Sequence, residues 1–390
     1  MFYVFVDMMS HKINIIKSIV LIMAGAMLYA CGKSKPETSA RVLSVDLEQE
    51  VPAMGELFSR VEVVPLDNSD SCLLMQLTRV YPYKNQIYVV DRRRPVCYVF
   101  DKAGDFIRQI GRLGNGPGEY NQIEDCLVNE DRQEFLLMDT GGVWYVYDMD
   151  GNFLRKQFVP EGGACQSIVQ TAEGRFAHWI YTMKDREAIR LFNDSGEYVK
   201  GYWHQLFHFN FMLKRPFYDY DGKAYFSTAC FPSVYELSAD TLREAYRWDY
   251  GDKGISPEVL EILAGEKESG ENDGWEKATQ FLYDGTLAFV QQKQYQTDRY
   301  YYVQLMKDQN GRPAFVNVFY DKRTDRSFVF EKVKEGFTVF PVAMTDEYLL
   351  SVLNYEDFQY MKDVLPAEEY AKLAALDEES NPCLLRMYFK

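Results

Sequence analysis

The decapeptide Gly111-Arg112-Leu113-Gly114-Asn115-Gly116-Pro117-Gly118-Glu119-Tyr120 decides how the rest of this chain is read. Four glycines and a proline within residues 111–118 exclude the interior of a helix or strand. They describe a tight connector whose backbone runs close to its neighbours. On its N-terminal side stand Gln86-Ile87-Tyr88-Val89-Val90-Asp91, Cys97-Tyr98-Val99-Phe100-Asp101 and Gly104-Asp105-Phe106-Ile107. On its C-terminal side the same phrases return as Glu134-Phe135-Leu136-Leu137-Met138-Asp139, Trp144-Tyr145-Val146-Tyr147-Asp148 and Gly151-Asn152-Phe153-Leu154. Asp101 and Asp148, Gly104 and Gly151, and Phe106 and Phe153 are each 47 residues apart. Short strands repeating every 40–50 residues or so are the signature of propeller blades.

Working outward, the strand phrases predict an all-β, six-bladed propeller over 57–390. Blade one has strands at Leu77–Tyr83, Gln86–Val90, Val96–Phe100 and Phe106–Ile110, and blade two spans about 119–159. Blade three covers 165–203, and Gly196 follows Gly151 by 45 residues. Blade four uses 223–227, 233–237 and 244–250. Ser256-Pro257-Glu258 then opens a short helix through about 264, as an N-cap, a first-turn proline and an acid do. Blade five resumes with 281–291, 299–306, 314–320 and 327–333. Blade six has 337–343, 347–353 and 383–389, with a helical insertion at 366–376. That leaves blade six one strand short, and the alternating Val61-Glu62-Val63-Val64-Pro65-Leu66 is free to complete it, closing the ring and pairing its open edge.

Composition agrees with strands: 47% of the 390 residues are hydrophobic and 15% aromatic. A net charge of −15 argues against nucleic acid, which calls for a basic stripe. Residues 1–30 read as an export signal. His11, Lys12 and Lys17 precede the apolar run 18–30, which is short for a bilayer span. The run ends in Leu28-Tyr29-Ala30-Cys31-Gly32, which resembles a bacterial lipobox and implies a lipid on Cys31. Residues 31–56 are then the lipidated cysteine and a tether, placing the protein at a membrane, by expectation the outer membrane, facing periplasm or cell surface. The remaining Cys72, Cys97, Cys126, Cys165, Cys230 and Cys383 form no Cys-x-x-Cys motif and are expected to be free and buried.

Gly111-x-x-Gly-x-Gly-x-Gly-x-Tyr120, a strand ending in Asp139, and Val146-Tyr147-Asp148-x-x-Gly151 look like an NHL-type repeat. Together with the lipobox, Val63-Val64-Pro65-Leu66, Tyr320-Asp321-Lys322 and Asn381-Pro382-Cys383-Leu384, the chain resembles the bacterial six-bladed β-propeller lipoproteins. The resemblance implies an exported and often carbohydrate-associated protein, and it leaves the molecular activity unassigned.

Candidate chemistry follows from strand parity. In four-stranded antiparallel blades the loops between second and third strands share a face with the loops between blades. That face collects Arg92, Arg93, Arg94, Arg112, Asn115, Glu119 and Tyr120. The arginines suit an anionic ligand such as an acidic sugar. The competing reading pairs them with Asp91, Glu119, Asp125 or Asp139, and makes Glu119 and Tyr120 fasteners of the glycine loop. His204 and His208 have the spacing of metal ligands on a helix, but no glutamate follows His204 as a zincin motif requires. No cofactor is expected. The aromatic runs 300–302 and 207–211 suit core packing more than sugar stacking. Two functions stay open: a membrane-anchored binding or scaffold module in glycan or glycopeptide handling, and a propeller-type lyase or hydrolase, with a metal as an option. The membrane, through Cys31, and a glycan or protein on the loop face are the implied partners.

The anchor is testable directly. Feeding cells a radioactive fatty acid should label the protein, and Cys31→Ser should abolish the label; equal labelling of both would remove the anchor.

Overall fold

The computed structural model describes residues 40–180, 187–204, 215–256, 259 and 280–390. Two strands, β1 (Arg41–Ser44) and β2 (Phe58–Pro65), come first. Blade one follows as β3 (Arg79–Tyr83), β4 (Gln86–Asp91), β5 (Val96–Asp101) and β6 (Phe106–Gln109). A short parallel pair, β7 (Arg112–Leu113) and β8 (Glu119–Tyr120), leads into blade two. That blade is β9 (Asp125–Asn129), β10 (Glu134–Met138), β11 (Val143–Asp148) and β12 (Phe153–Phe158). Blade three is β13 (Cys165–Gln170), β14 (Phe176–Ile180), β15 (Glu187–Phe192) and β16 (Tyr198–His204). Blade four is β17 (Phe217–Tyr220), β18 (Lys223–Ser227), β19 (Ser233–Leu237) and β20 (Leu242–Asp249), with β1 added outside β20. Blade five is β21 (Val290–Gln296), β22 (Tyr300–Gln309), β23 (Arg312–Asp321) and β24 (Arg326–Phe330). Blade six is β25 (Phe340–Met344), β26 (Tyr348–Leu353) and β27 (Cys383–Phe389), with β2 as its outer strand. The first strands of successive blades touch one another, β9 on β13, β13 on β17, β17 on β21, β21 on β25 and β25 on β3. The domain is a six-bladed β-propeller.

Both faces of each blade are buried, so its strands are apolar on both sides, and alternation sends neighbouring residues to different cores. Cys97 and Val99 pack toward blade two, while Tyr98 and Phe100 pack toward blade six. Phe135 and Leu137 face blade one, and Leu136 and Met138 face blade three. The repeated aspartate-to-glycine phrase proves to be the turn between third and fourth strands. Asp101 Oδ1 accepts from the N–H groups of Ala103 and Asp105, Asp148 Oδ1 from Asp150 and Asn152, and Asn193 Oδ1 from Ser195 and Glu197. These side-chain turns fix the period read from the sequence. All six described cysteines are buried and free.

Three elements differ from expectation. Strand β1 lies within the stretch read as tether; its Arg-Val-Leu-Ser offers two apolar residues, too few for a periodicity signal. Strand β17, the first of blade four, is not among the strands expected from the sequence. The first strand of blade five is β21 at Val290–Gln296 and not 281–291, because 280–283 are helical and Gly285 turns the chain at φ 81°. The insertion in blade six is a 3-10 helix at Tyr355–Asp363 and an α-helix at Ala367–Leu373. The helix expected over 256–264 falls largely outside the described residues.

Closure is by β2. It runs antiparallel to β27, with Val61 opposite Met387, Val63 opposite Leu385 and Val64 opposite Leu384. Val61 and Val63 enter the core shared with blade five, and Val64 and Leu66 the core shared with blade one. The outer edge of β2 is itself covered by the helix at Ala367–Leu373. Glu369 Oε2 accepts from Val63 N at 2.6 Å and Lys372 Nζ donates to Val63 O at 3.2 Å. Burying a Val, Leu or Phe side chain contributes about 1.5–3 kcal/mol, and whole domains are stable by only about 5–15 kcal/mol. Deleting residues 57–67 removes Phe58, Val61, Val63, Val64 and Leu66 from two cores at once, so the cooperative melting transition should be lost. A deletion variant melting at the wild-type temperature would show β2 to be peripheral.

Candidate functional site

The glycine loop is held by bonds within itself and by close contact with blade two. Tyr120 is fully buried and its hydroxyl donates to Ile110 O at 3.0 Å, while Tyr147 donates to Gly118 O at 3.1 Å. Gly111 and Gly118 take φ +60° and +73°. A Cβ at the first would fall 2.4 Å from Tyr147 Oη, and at the second 2.8 Å from Phe153 Cβ. Glu119 closes the loop from inside: Oε2 accepts from Gly116 N at 2.8 Å and Oε1 from Arg112 Nε at 2.6 Å. The Gly116 N–H, and then Arg112, hold this carboxyl below the usual range. Asn115 Oδ1 accepts from Asn121 Nδ2 at 2.9 Å.

The four arginines have separate surroundings. Arg112 has Glu119 and a side chain 77% exposed. The N–H groups of Arg93 and Arg94 cap Asp91 Oδ1, and Arg94 Nη1 reaches Leu73 O at 3.2 Å. The Arg93 side chain is exposed. Arg92 binds Glu124, and among the four it alone lines the axial cavity. His204 ends strand β16, so the segment leading into it is extended and not helical; His208 lies outside the described residues. Among the described residues no group of three or more His, Cys, Asp or Glu side chains is placed to hold a metal ion. Tyr300 and Tyr302 are fully buried between blades five and six, with Tyr302 donating to Asn317 Oδ1 at 2.8 Å.

The axial channel carries the polar concentration that sequence reasoning missed. A cavity of about 300 Å³ opens at the starting ends of the first strands, the face that bears the loops between blades. Gln76, Thr78, Arg92, Glu124, Asp125 and Gln166 line one side, and Arg215, Gln292, Lys293, Gln304, Phe315 and Val342 the other. A second cavity of about 320 Å³ occupies the opposite end, and the two share Arg215, Lys293 and Val342. Asp125 organises one wall. It takes Ser167 Oγ at 2.9 Å, Ile168 N at 3.1 Å and the Arg79 guanidinium at 3.2 Å. Burial pulls the Arg79 pKa down, but Asp125 outweighs it and holds the group above its ordinary value. Burial, and next Arg79, lower Arg215. Burial, and then Arg215, bring Lys293 down to about 7. Gln166 Oε1, Gln292 Nε2 and Gln304 Nε2 are buried without a partner among the described residues. The one legible sign was Gln291-Gln292-Lys293-Gln294, a polar run where an inner strand should be apolar.

Fold and site together define a six-bladed propeller with an axial channel lined by amides and by charges of both signs. The chain belongs to the family described as a domain of unknown function, DUF4934, which matches residues 43–388. It is similar in fold to a protein of Bacteroides fragilis inferred to be exported, at 20% identity and a TM-score of 0.73, covering 90% of this chain and 99% of that one. A DUF4221 family member of Bacteroides vulgatus matches at 13% identity and a TM-score of 0.50, covering 86% and 97%. The chain matches no curated protein.

His178 is the described histidine set deepest in the core. Its Nε2 accepts from Trp144 Nε1 at 2.9 Å, and its ring packs on Trp144 and Phe192. Burial lowers its pKa from 6.5 to about 3, so it stays neutral. Below pH 6.5 the unfolded chain takes up a proton that the folded one refuses, so stability falls as pH drops from about 6.5 towards 3. The slope from this group is about 1.4 kcal/mol per pH unit. His178→Gln keeps an acceptor for Trp144 but cannot titrate. Denaturant melts between pH 6 and 4 should show a shallower loss of stability than wild type; equal slopes would mean His178 is protonated in the folded state.

Proposed function

We propose that the protein is an exported, lipid-anchored propeller that binds a glycan or glycopeptide at the loop-face mouth of its channel. The observation that carries this reading is the cavity of about 300 Å³ at that mouth, where three glutamines hold buried amide atoms without partners among the described residues. Buried polar atoms are ordinarily paired, and amides beside an open cavity suit the hydroxyls of a sugar. Export is supported by the apolar N-terminal run ending at Cys31 and by the similarity in fold to the Bacteroides fragilis protein inferred to be exported. The anchor would hold the propeller at the outer membrane. Arg92 stands at the rim, and Arg93 and Arg94 would add a positive field around it, whereas Arg112 is paired with Glu119.

A glycan array probed with the detergent-solubilised full-length protein tests this. At least one class of glycan should be retained. Arg92→Ala should weaken that binding roughly tenfold to a hundredfold, the loss expected for a charged hydrogen bond of about 1.5–3 kcal/mol. Arg112→Ala should leave affinity unchanged and lower the melting temperature only slightly, because an exposed pair contributes about 0–1 kcal/mol. No retention of any glycan, or retention indifferent to Arg92→Ala, would overturn the reading.

A further inference from the structure

Two cations at the waist of the channel have no carboxylate within ion-pair distance among the described residues, although Asp125 and Asp219 line the same channel. Arg79 is matched by Asp125, and Arg92 by Glu124. Among the described residues Arg215 and Lys293 form no ion pair; Lys293 Nζ donates to the carbonyl of Pro341. The two side chains line both cavities, so they stand where the halves of the channel meet. Each position is walled by the inner strands, and the charges repel. Burial, and after it Arg79, depresses Arg215, and burial, and after it Arg215, depresses Lys293. Like charges in a walled, poorly solvated space are costly unless a counter-charge joins them. A guanidinium fork beside an ammonium is suited to one chemistry above others, an oxyanion received by the fork and steadied by the point charge.

We infer that Arg215 and Lys293 form a carboxylate subsite inside the channel, which takes the acid group of a uronic acid residue. The inference rests on the reading that a glycan enters at the loop-face mouth, and it names the feature that would be selected there. The surroundings specify more than an anion. Gln166, Gln292 and Gln304 offer amides for ring hydroxyls, and Phe315 and Val342 offer an apolar surface for a ring face. The cavity has room for about one sugar ring. A carboxylate carried on a sugar ring suits this lining better than free phosphate, which has no ring face for Phe315 and Val342.

Titration calorimetry on the full-length protein in detergent at pH 6.5 tests the subsite, with D-glucuronate, D-glucose, acetate and inorganic phosphate as separate probes. Glucuronate should bind at least tenfold more tightly than glucose or acetate, and more tightly than phosphate. Arg215→Gln and Lys293→Met should each weaken glucuronate tenfold or more. Both variants should melt at or above the wild-type temperature without ligand, since each removes one member of a repelling pair. Equal binding of glucose, tighter binding of phosphate, unchanged affinity in both variants, or a lower melting temperature in both would overturn the inference. If neutral glycans are retained on an array by wild type and both variants alike, the glycan reading stands and the carboxylate subsite falls. If glucuronate binds as described but no glycan is retained, the subsite stands and the glycan reading falls.

Discussion

Everything in this domain depends on the pairing of β2 with β27, residues more than 300 positions apart in the chain. Without it, blade six would end on the open edge of β27, and the cores on both of its sides would lose a wall. A sheet edge presents unpaired backbone groups to whatever strand comes near. The protein therefore protects the closure twice, first with β2 and then with the helix at Ala367–Leu373, whose Glu369 and Lys372 satisfy the backbone of Val63. Arg386 adds a side-chain tie by binding Glu62 and the carbonyl of Lys102 in the next blade.

Closure also creates the channel. Six first strands forced around one axis cannot all bury their inward side chains in an apolar core, because the space between them is too wide to fill and too narrow to be bulk solvent. Inward positions here carry Arg79, Asp125, Lys293 and several glutamines, and the same segments send apolar residues such as Val80, Leu127 and Val290 into the cores between blades. Asp125 shows how such a wall is made tolerable, with a hydroxyl, a backbone N–H and a guanidinium all converging on one carboxylate. Among the described residues Arg215 and Lys293 form no such ion pair, and Lys293 donates instead to the carbonyl of Pro341.

The loop that draws the eye in the sequence is held firmly in place. Its glycines let the chain pass within contact distance of Tyr147 and Phe153, and its Glu119 is consumed by Gly116 and Arg112. The loop joins blades one and two and leaves the polar mouth to the side of it. Elaborated connections on a rigid scaffold often carry function, yet here the sequence-conspicuous connection is the rigid part. The inconspicuous glutamines of the inner strands line the cavity.

The sequence by itself determined the class of fold, the six-blade count and the identity of the closing strand. Each of these rests on local signals: the 47-residue return of Asp101 as Asp148, the glycine connector, and the alternation of Val61 to Leu66. It also anticipated that Tyr300 and Tyr302 would pack in a core, since aromatic residues within strands bury readily. It missed β1 and β17, each four residues long, and it placed β21 too early because Phe281-Leu282 reads as strand. Only the tertiary structure decided where the four arginines go and which residues meet in the channel. Gln166, Arg215, Lys293 and Gln304 come from four separate segments spread over some 140 positions, and no spacing links them. Their association is a property of ring closure, which brings strand ends together around an axis that has no representation in the linear order of residues.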